Sequence, residues 1–232
     1  MKKILVFLLA GIMILGVAGC GQKDATTEND SQATIENNDN KGQEENNVSS
    51  SIGFGVEAVK SAPETDVSMF QYEEIDGGIS ITDYTGEDAI VVIPEKIDGQ
   101  DVIAVGEYAF SNNEDIKGVK IADSVTVIER DAFCNCSKLE IVICGKNLST
   151  IEIYAFNNCV ALWHMELNEG IEILKESCFA MTDSLKEIFI PSSVVTMEYP
   201  FIETQTNVTI HTEAGSVAEQ YATEMNIPCE TK

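Results

Sequence analysis

Residues 125–144 read VTVIERDAFCNCSKLEIVIC, and the pattern of this stretch recurs along the chain with a period of 23 residues. Four phenylalanines keep that period, at Phe110, Phe133, Phe156 and Phe179. Two apolar columns repeat in step with the rings: Val102, Val125, Leu148, Ile171 and Val194, then Val105, Ile128, Ile151, Leu174 and Met197. A fixed period of this length predicts a solenoid, in which each coil is too small to bury its own apolar face. Since solenoids present extended surfaces, the repeat favours binding over catalysis.

Each unit ends in apolar residues two positions apart, which predicts short strands that stack into a parallel sheet. The motif Ile-x-x-x-Ala-Phe-x-x-Cys-x-x-Leu occupies residues 128–139 and 151–162, and Ile188-Phe189-Ile190-Pro191 supplies its strand ending. This pattern resembles the BspA-like leucine-rich repeats of bacterial surface proteins, over roughly residues 69–228. The resemblance implies a right-handed superhelix of about 23 residues per coil, and adhesion to host or microbial macromolecules.

The N-terminus has the features of an export signal. A basic start at Lys2 and Lys3 precedes an apolar segment, residues 4–17, that is shorter than a membrane span. The sequence Val-Ala-Gly-Cys at residues 17–20 resembles the bacterial lipobox, which implies a signal peptide over residues 1–19 and lipidation of Cys20. We therefore expect a protein anchored by lipid to the extracellular face of the bacterial envelope. The alternative is an ordinary secreted protein.

Residues 20–68 are rich in Asn, Glu, Asp, Ser and Thr and nearly free of aromatic residues. So little apolar surface does not offset the entropy of ordering a backbone, which predicts a lipidated, acidic, disordered tether. The whole chain carries 39 acidic and 14 basic residues, a formal net charge of -25. That charge argues against nucleic acid as a partner.

The rest of the chain forms one repeat domain with a cap at each end. We expect a strand-rich N-terminal cap at 69–101, with a β-hairpin at Gly77-Gly78, and leucine-rich repeats at 102–212. Residues 213–232 are predicted to form a C-terminal helical cap that begins with the capping box Ser216 and Glu219. In the irregular last coil, either Phe201 or Ile202 fills the ring position.

Six cysteines follow Cys20, and the repeat register places four of them, Cys136, Cys144, Cys159 and Cys178, at core positions. Buried free thiols are the favoured interpretation. A disulfide between Cys136 and Cys159, or metal binding through Cys134-x-Cys136, is the alternative. The histidines, His164 and His211, lie outside recognisable catalytic motifs and are expected at the surface. We therefore expect no enzyme activity, no cofactor, no metal and no small-molecule substrate.

The outward positions of the strands form the candidate binding surface. They are Gly118, Lys120, Ile141, Ile143, His164, Glu166, Glu187 and Phe189, with Trp163 beside them. Exposed apolar residues next to the only tryptophan predict a partner-binding patch made of Ile141, Ile143, Trp163, His164, Glu166, Glu187 and Phe189. Alternatively, the apolar residues are good strand formers on a tolerated face.

Together these features predict an adhesin-like surface protein that binds a protein or glycan. The alternative is a structural envelope protein that associates with itself and has no external ligand.

Overall fold

A computed structural model describes residues 54–202 and 208–232 of the chain. These residues fall in one compact unit. Its N-terminal elements are helix α1 (Val56–Ser61), a 3-10 turn (Val67–Met69) and strands β1 (Phe70–Ile75), β2 (Gly78–Tyr84), β3 (Ile90–Val92), β4 (Lys96–Ile97) and β5 (Gln100–Val105). The repeats supply β6 (Gly118–Lys120), β7 (Val127–Ile128), β8 (Ile141–Ile143), β9 (Thr150–Ile151), β10 (His164–Glu166), β11 (Ile173–Leu174), β12 (Glu187–Phe189), β13 (Thr196–Met197) and β14 (Thr209–Thr212). Helix α2 (Val217–Met225) and strand β15 (Cys229–Thr231) follow.

Each coil contributes two short strands, and each kind of strand pairs with its equivalent in the next coil, except that β12 pairs with β14 and not with β10. One sheet runs in the order β1-β2-β5-β7-β9-β11-β13, with β4 paired to β5. The three-residue strands form the order β10-β8-β6-β3, and a separate sheet has the order β12-β14-β15. All pairs between repeats are parallel, which confirms the predicted solenoid.

The ring column predicted from the sequence is a continuous stack through the core. Adjacent ring centroids lie 4.7 to 6.4 Å apart along the series Phe70, Tyr84, Phe110, Phe133, Phe156, Phe179, Phe201 and Tyr221. The rings of Phe133 and Phe156 are parallel within 2°. Phe201 therefore fills the last ring position, because the final coil is one residue shorter than the others. The stack joins the N-terminal hairpin to the C-terminal helix through one apolar core.

The cysteine column lies beside the stack. Cys136, Cys159 and Cys178 are buried and Cys144 is partly buried against the same core, which confirms the core positions predicted for these four residues. The six cysteines of the described residues are free thiols. The Sγ of Cys136 donates to the carbonyl of Phe110, and that of Cys159 to the carbonyl of Phe133, each over 3.1 Å. Burial raises the pKa of Cys159 and of Cys178 well above 9.0. These thiols therefore fill the core in their neutral form.

Both ends of the solenoid are covered. Strands β1 and β2 form an antiparallel hairpin across Gly77, as predicted. At the other end, the Oγ of Ser216 accepts from the backbone N–H of Glu219, and the Glu219 carboxylate accepts from the N–H of Gly215. The C-terminal cap also contains β15, a strand that the sequence did not predict, paired in parallel with β14. Within the described residues, no helix has both the length and the apolar character of a membrane span.

The first elements correct the predicted domain boundary. The tether was expected to extend to residue 68, and this is wrong for residues 54–68. Val59 is fully buried there. Thr65 exchanges hydrogen bonds with Val92 of β3, through its backbone N–H and its hydroxyl. The folded domain therefore begins before residue 69. The predicted signal peptide, Cys20 and the first part of the tether lie outside the described residues.

Candidate functional site

The register of the strands defines one face that points away from the core, and we call it the outward strand face. Gly118, Ile141 and His164 are aligned on it in successive coils, and so are Lys120, Ile143 and Glu166. The residues between them, such as Val119 and Val142, are buried in the core. The alternation predicted from the sequence therefore places each side chain on the expected face.

Helix α1 covers the part of the outward strand face that β6 and β8 form. Ile141 is 0% exposed and Ile143 is 7% exposed, because both pack in an apolar cluster with Val59. Phe54 and Val56 pack against the same cluster. The prediction that Ile141 and Ile143 form an exposed binding patch is therefore wrong. The residues that cover them belong to the segment whose polar composition predicted a tether.

A glycine allows this close approach. A Cβ atom on Gly118 would lie 2.5 Å from Cγ2 of Val59 and 2.9 Å from Cζ of Phe54, which is closer than real side chains approach. Lys120 donates from Nζ to the carbonyl of Lys60 at the end of α1, over 3.1 Å. Such a contact suits the partial negative charge at a helix C-terminus. Two residues of β6 thus determine where α1 docks: Gly118, which leaves room for it, and Lys120, which hydrogen-bonds its C-terminal end.

Lys60 connects α1 to the next coil. Its Nζ lies 2.7 Å from Oε2 of Glu166 on β10, and this hydrogen bond raises the pKa of Lys60. The pair is partly exposed, so its contribution to stability is small. The pair lies at the edge of the part of the outward strand face that α1 covers.

Beyond β10 the sheet is interrupted and a cleft opens. Strand β10 pairs with β8, whereas β12 pairs with β14, and the two sheets are separate. The cleft has a volume of about 300 Å³, and residues from β10, β12 and β14 line it. We call this region, together with the adjacent Trp163, the strand-face site; it consists of Trp163, His164, Glu166, Glu187, Phe189 and His211. Five of these six residues were predicted from the sequence.

Trp163 stands exposed at the edge of the strand-face site. Its side chain is 44% exposed, and its backbone N–H donates to the carbonyl of Glu140 in the preceding coil. Its ring centroid lies 5.4 Å from that of His164 at a tilt of 54°. A large aromatic side chain held in this way is suited to anchor a partner, because its apolar area is available at little entropic cost.

The two histidines lie in the same cleft, although the sequence indicated only separate surface positions. The Nε2 atoms of His164 and His211 are shielded from solvent and make no hydrogen bond within the described residues. Carboxylate oxygens of Glu166 and Glu187 lie 3.7 and 3.9 Å from them, beyond hydrogen-bonding distance. A buried polar atom without a partner costs about 1–3 kcal/mol. A ligand group that hydrogen-bonds these nitrogens would recover that energy.

Positively charged side chains of the chain itself already contact the strand-face site. Lys232 Nζ lies 5.1 Å from the ring centroid of Phe189, within the range of a cation–π contact. Lys60 pairs with Glu166, and Glu230 approaches His211 Nδ1 to 3.4 Å. The site thus combines carboxylates and aromatic rings, a chemistry that favours ammonium and guanidinium groups.

No cluster of three or more metal-binding side chains occurs in residues 54–202 and 208–232. The expectation of no enzyme activity rests on the absence of a catalytic motif in the sequence.

Comparison with known proteins agrees with this architecture. A family model for the BspA type leucine rich repeat region matches residues 100–220 in 6 copies. The crystal structure of a leucine-rich repeat protein from T. pallidum is similar, with a TM-score of 0.60 and 28% identity over 64% of this chain and 71% of that chain. A search of curated proteins found no match.

Two further solved structures are less similar in overall geometry. A leucine rich cell surface protein from Faecalibacterium prausnitzii matches with 26% identity and a TM-score of 0.48, over 66% of this chain and 49% of that chain. A leucine-rich repeat protein from Bacteroides capillosus matches with 28% identity and a TM-score of 0.45, over 65% of this chain and 98% of that chain. This chain thus spans about half of the F. prausnitzii protein. From the family match and the parallel strands stacked coil on coil, the chain belongs to the BspA-type leucine-rich repeat proteins.

Proposed function

We propose that this chain is a surface-exposed binding protein, held to the bacterial envelope by lipid on Cys20, and that its solenoid binds a protein partner. The observation that carries the proposal is the interruption between β10 and β12. There helix α1 no longer covers the outward strand face, which holds an exposed tryptophan and two histidine nitrogens without a hydrogen-bond partner. Membership in a solenoid family supports a binding role, because such folds act through extended surfaces.

The charges around the strand-face site favour a partner that presents basic side chains. Glu187 and Glu230 have side chains 76% and 74% exposed, and both approach His211. The net charge of -25 attracts basic surfaces at long range and speeds their association. We therefore expect an arginine or lysine of the partner to enter the cleft, in competition with the Lys232 contact to Phe189.

Protein is favoured over an anionic polymer for the same reason. Glycosaminoglycans and nucleic acids carry dense negative charge, which the carboxylates of the site would repel. The apolar part of the site, Trp163 and Phe189, suits the mixed apolar and basic surface of a folded protein.

The test is a binding screen with the full chain in detergent solution against purified matrix and plasma proteins. We expect a partner whose affinity falls with rising salt and which an arginine hexapeptide displaces. Glu187→Lys should weaken this binding at least tenfold. Glu224→Lys, on the exposed side of α2, changes the net charge by the same amount and is the control; it should weaken binding only by the small amount that the change in net charge causes in both variants. Equal affinity of the two variants would count against the site. Assembly of the chain without any ligand would instead favour a structural envelope protein.

A further inference from the structure

A second surface of the solenoid displays tyrosines in a regular row. Tyr108, Tyr154 and Tyr199 are 56%, 36% and 54% exposed, and each stands two residues before a phenylalanine of the core stack. Asp131 and Ser177 occupy the same position in the two intervening coils. The tyrosines therefore alternate with smaller residues along the turn side of the coils, away from the strand-face site.

The backbone at these positions does not favour tyrosine. The φ angles of Tyr108, Tyr154 and Tyr199 are 60°, 58° and 54°, in the left-handed region. Asn and Asp adopt this region several-fold more readily than bulky residues, and Asn112, Asn135 and Asn158 do so in the same turns. Tyrosine is thus a poor choice for the backbone at these three exposed positions. Tyr199 also packs edge-on against Tyr221 of helix α2, with ring centroids 6.4 Å apart, so a ligand is needed to explain tyrosine chiefly at Tyr108 and Tyr154.

The spacing of the rings fits a periodic ligand. Strands of adjacent coils lie about 4.8 Å apart, so tyrosines on alternate coils are about 10 Å apart. Asp131 is half-buried and Ser177 is buried, which leaves room between neighbouring rings. A row of exposed aromatic rings on alternate coils matches a polymer that presents the same chemical face at each repeat.

The chemistry of the row favours sugar rings. Aromatic faces carry partial negative charge and attract the C–H groups of a pyranose face. Asp131, whose carboxylate is the first cause of the raised pKa of Tyr108, provides an acceptor for hydroxyl groups beside that ring. The side-chain amides of Asn158, Asn135 and Asn112 form a hydrogen-bonded ladder in the same turns, which leaves one N–H of each linked amide for other partners.

We propose that Tyr108, Tyr154 and Tyr199 form a binding surface for a neutral, extended glycan, whose alternate sugar rings stack on successive tyrosines. The glycan is neutral because the surrounding charge is mostly acidic, with Glu107, Glu176 and Glu198 exposed or half-exposed on these coils. This surface is independent of the protein-binding role of the strand-face site.

The test is affinity electrophoresis of the full chain in gels that contain hydroxyethyl cellulose, followed by calorimetric titration with cellohexaose and chitohexaose. We expect binding of at least one of these glycans and no binding of heparin. Tyr108→Asn with Tyr154→Asn should lower the affinity at least tenfold while the Tm stays equal or rises, because Asn suits the left-handed backbone. Val195→Asn, at a position 64% exposed, is the control and should bind as the original chain does.

A second variant tests the spacing itself. Asp131→Tyr combined with Tyr154→Asp keeps composition and charge but places two tyrosines on adjacent coils, and we expect it to lose affinity as well. Absence of glycan binding by the original chain, or equal binding by the double Asn variant or the exchanged variant, would overturn the proposal. If the original chain binds no glycan but self-associates, and the double Asn variant does not self-associate, the tyrosine row forms contacts between chains and the proposal is wrong. Phe189→Ala should change none of these results.

Discussion

Val59 contacts the backbone of Gly118 so closely that a Cβ atom on residue 118 would lie 2.5 Å from Val59 Cγ2. This contact joins the segment before the repeats to the outward strand face. It explains why Ile141 and Ile143 are buried, although their register points them away from the core.

Gly118→Val should displace helix α1 and leave the solenoid folded, because the three atoms nearest to an added Cβ all belong to Val59 and Phe54 of the segment that covers β6. Val59 is a fully buried side chain, which contributes about 1.5–3 kcal/mol to the docking of α1. We expect faster hydrogen exchange of residues 56–61 and faster tryptic cleavage after Lys60. Thr209→Val, in the same outward row on β14, is the matched control. Unchanged exchange of α1 in Gly118→Val would contradict this account.

Phe156→Ala should destabilise the whole domain. Phe156 is fully buried between Phe133 and Phe179, with ring centroids 5.1 and 6.0 Å away. Removal of a buried phenylalanine ring costs about 3–5 kcal/mol, through lost burial and the cavity left behind. Val195→Ala at the surface should change the free energy of unfolding by less than about 0.5 kcal/mol. Chemical denaturation monitored by circular dichroism measures both, and similar values for the two variants would contradict a continuous core.

The buried thiols predict a loss of stability at alkaline pH. Burial raises the pKa of Cys178 well above 9.0, so the folded state holds this proton at a pH where the unfolded state releases it. The stabilisation is complete below pH 9 and falls as pH rises above 9, by up to about 1.4 kcal/mol per pH unit for each thiol. Cys178→Ala restores the alanine found at Ala109, Ala132 and Ala155, and should reduce this slope. An identical pH dependence in urea titrations of both proteins would show that Cys178 does not contribute.

The period of 23 residues was sufficient to predict the solenoid, the inward and outward positions of the three-residue strands and the four central rings of the stack, because a repeated contact leaves the same residue type in every coil. It did not predict the second, two-residue strand of each coil, which belongs to the longer sheet. It could not predict the cover over Ile141 and Ile143. Helix α1 occurs once, and its apolar residues are few within a polar segment. One sequence feature could have indicated this cover. Gly118 is the one glycine among the outward strand positions of the repeats, and a glycine there lets another segment pack closely on the strand.

The strand-face site was predicted in part, for a related reason. His164 and Glu187 are 23 residues apart, so the sequence gives no indication that β10 and β12 do not pair. His211 was missed as a member of the site because it follows Phe189 by 22 residues. Phe201 likewise follows Phe179 by 22 residues and not 23. The same spacing in the last coil aligns His211 with Phe189, and the pairing of β12 with β14 confirms this alignment.

Cys20→Ala should abolish labelling of the protein with radioactive palmitate in growing bacteria and release the protein from the membrane fraction. The reason is that lipid chains contribute about 0.8 kcal/mol per buried methylene, and two or more chains give stable anchoring. Cys229→Ala is the control, since Cys229 lies in the C-terminal strand β15. Labelling that persists in Cys20→Ala would contradict lipidation at this residue.

The uncovered part of the outward strand face is the proposed binding site for a basic protein partner. Its most direct measurement is isothermal titration of that partner into the original chain, into the double variant Trp163→Ala with Phe189→Ala, and into the surface control Val195→Ala. We predict at least a tenfold loss of affinity in the double variant with an unchanged Tm, and no loss in the control. Equal affinity in all three proteins would contradict the claim.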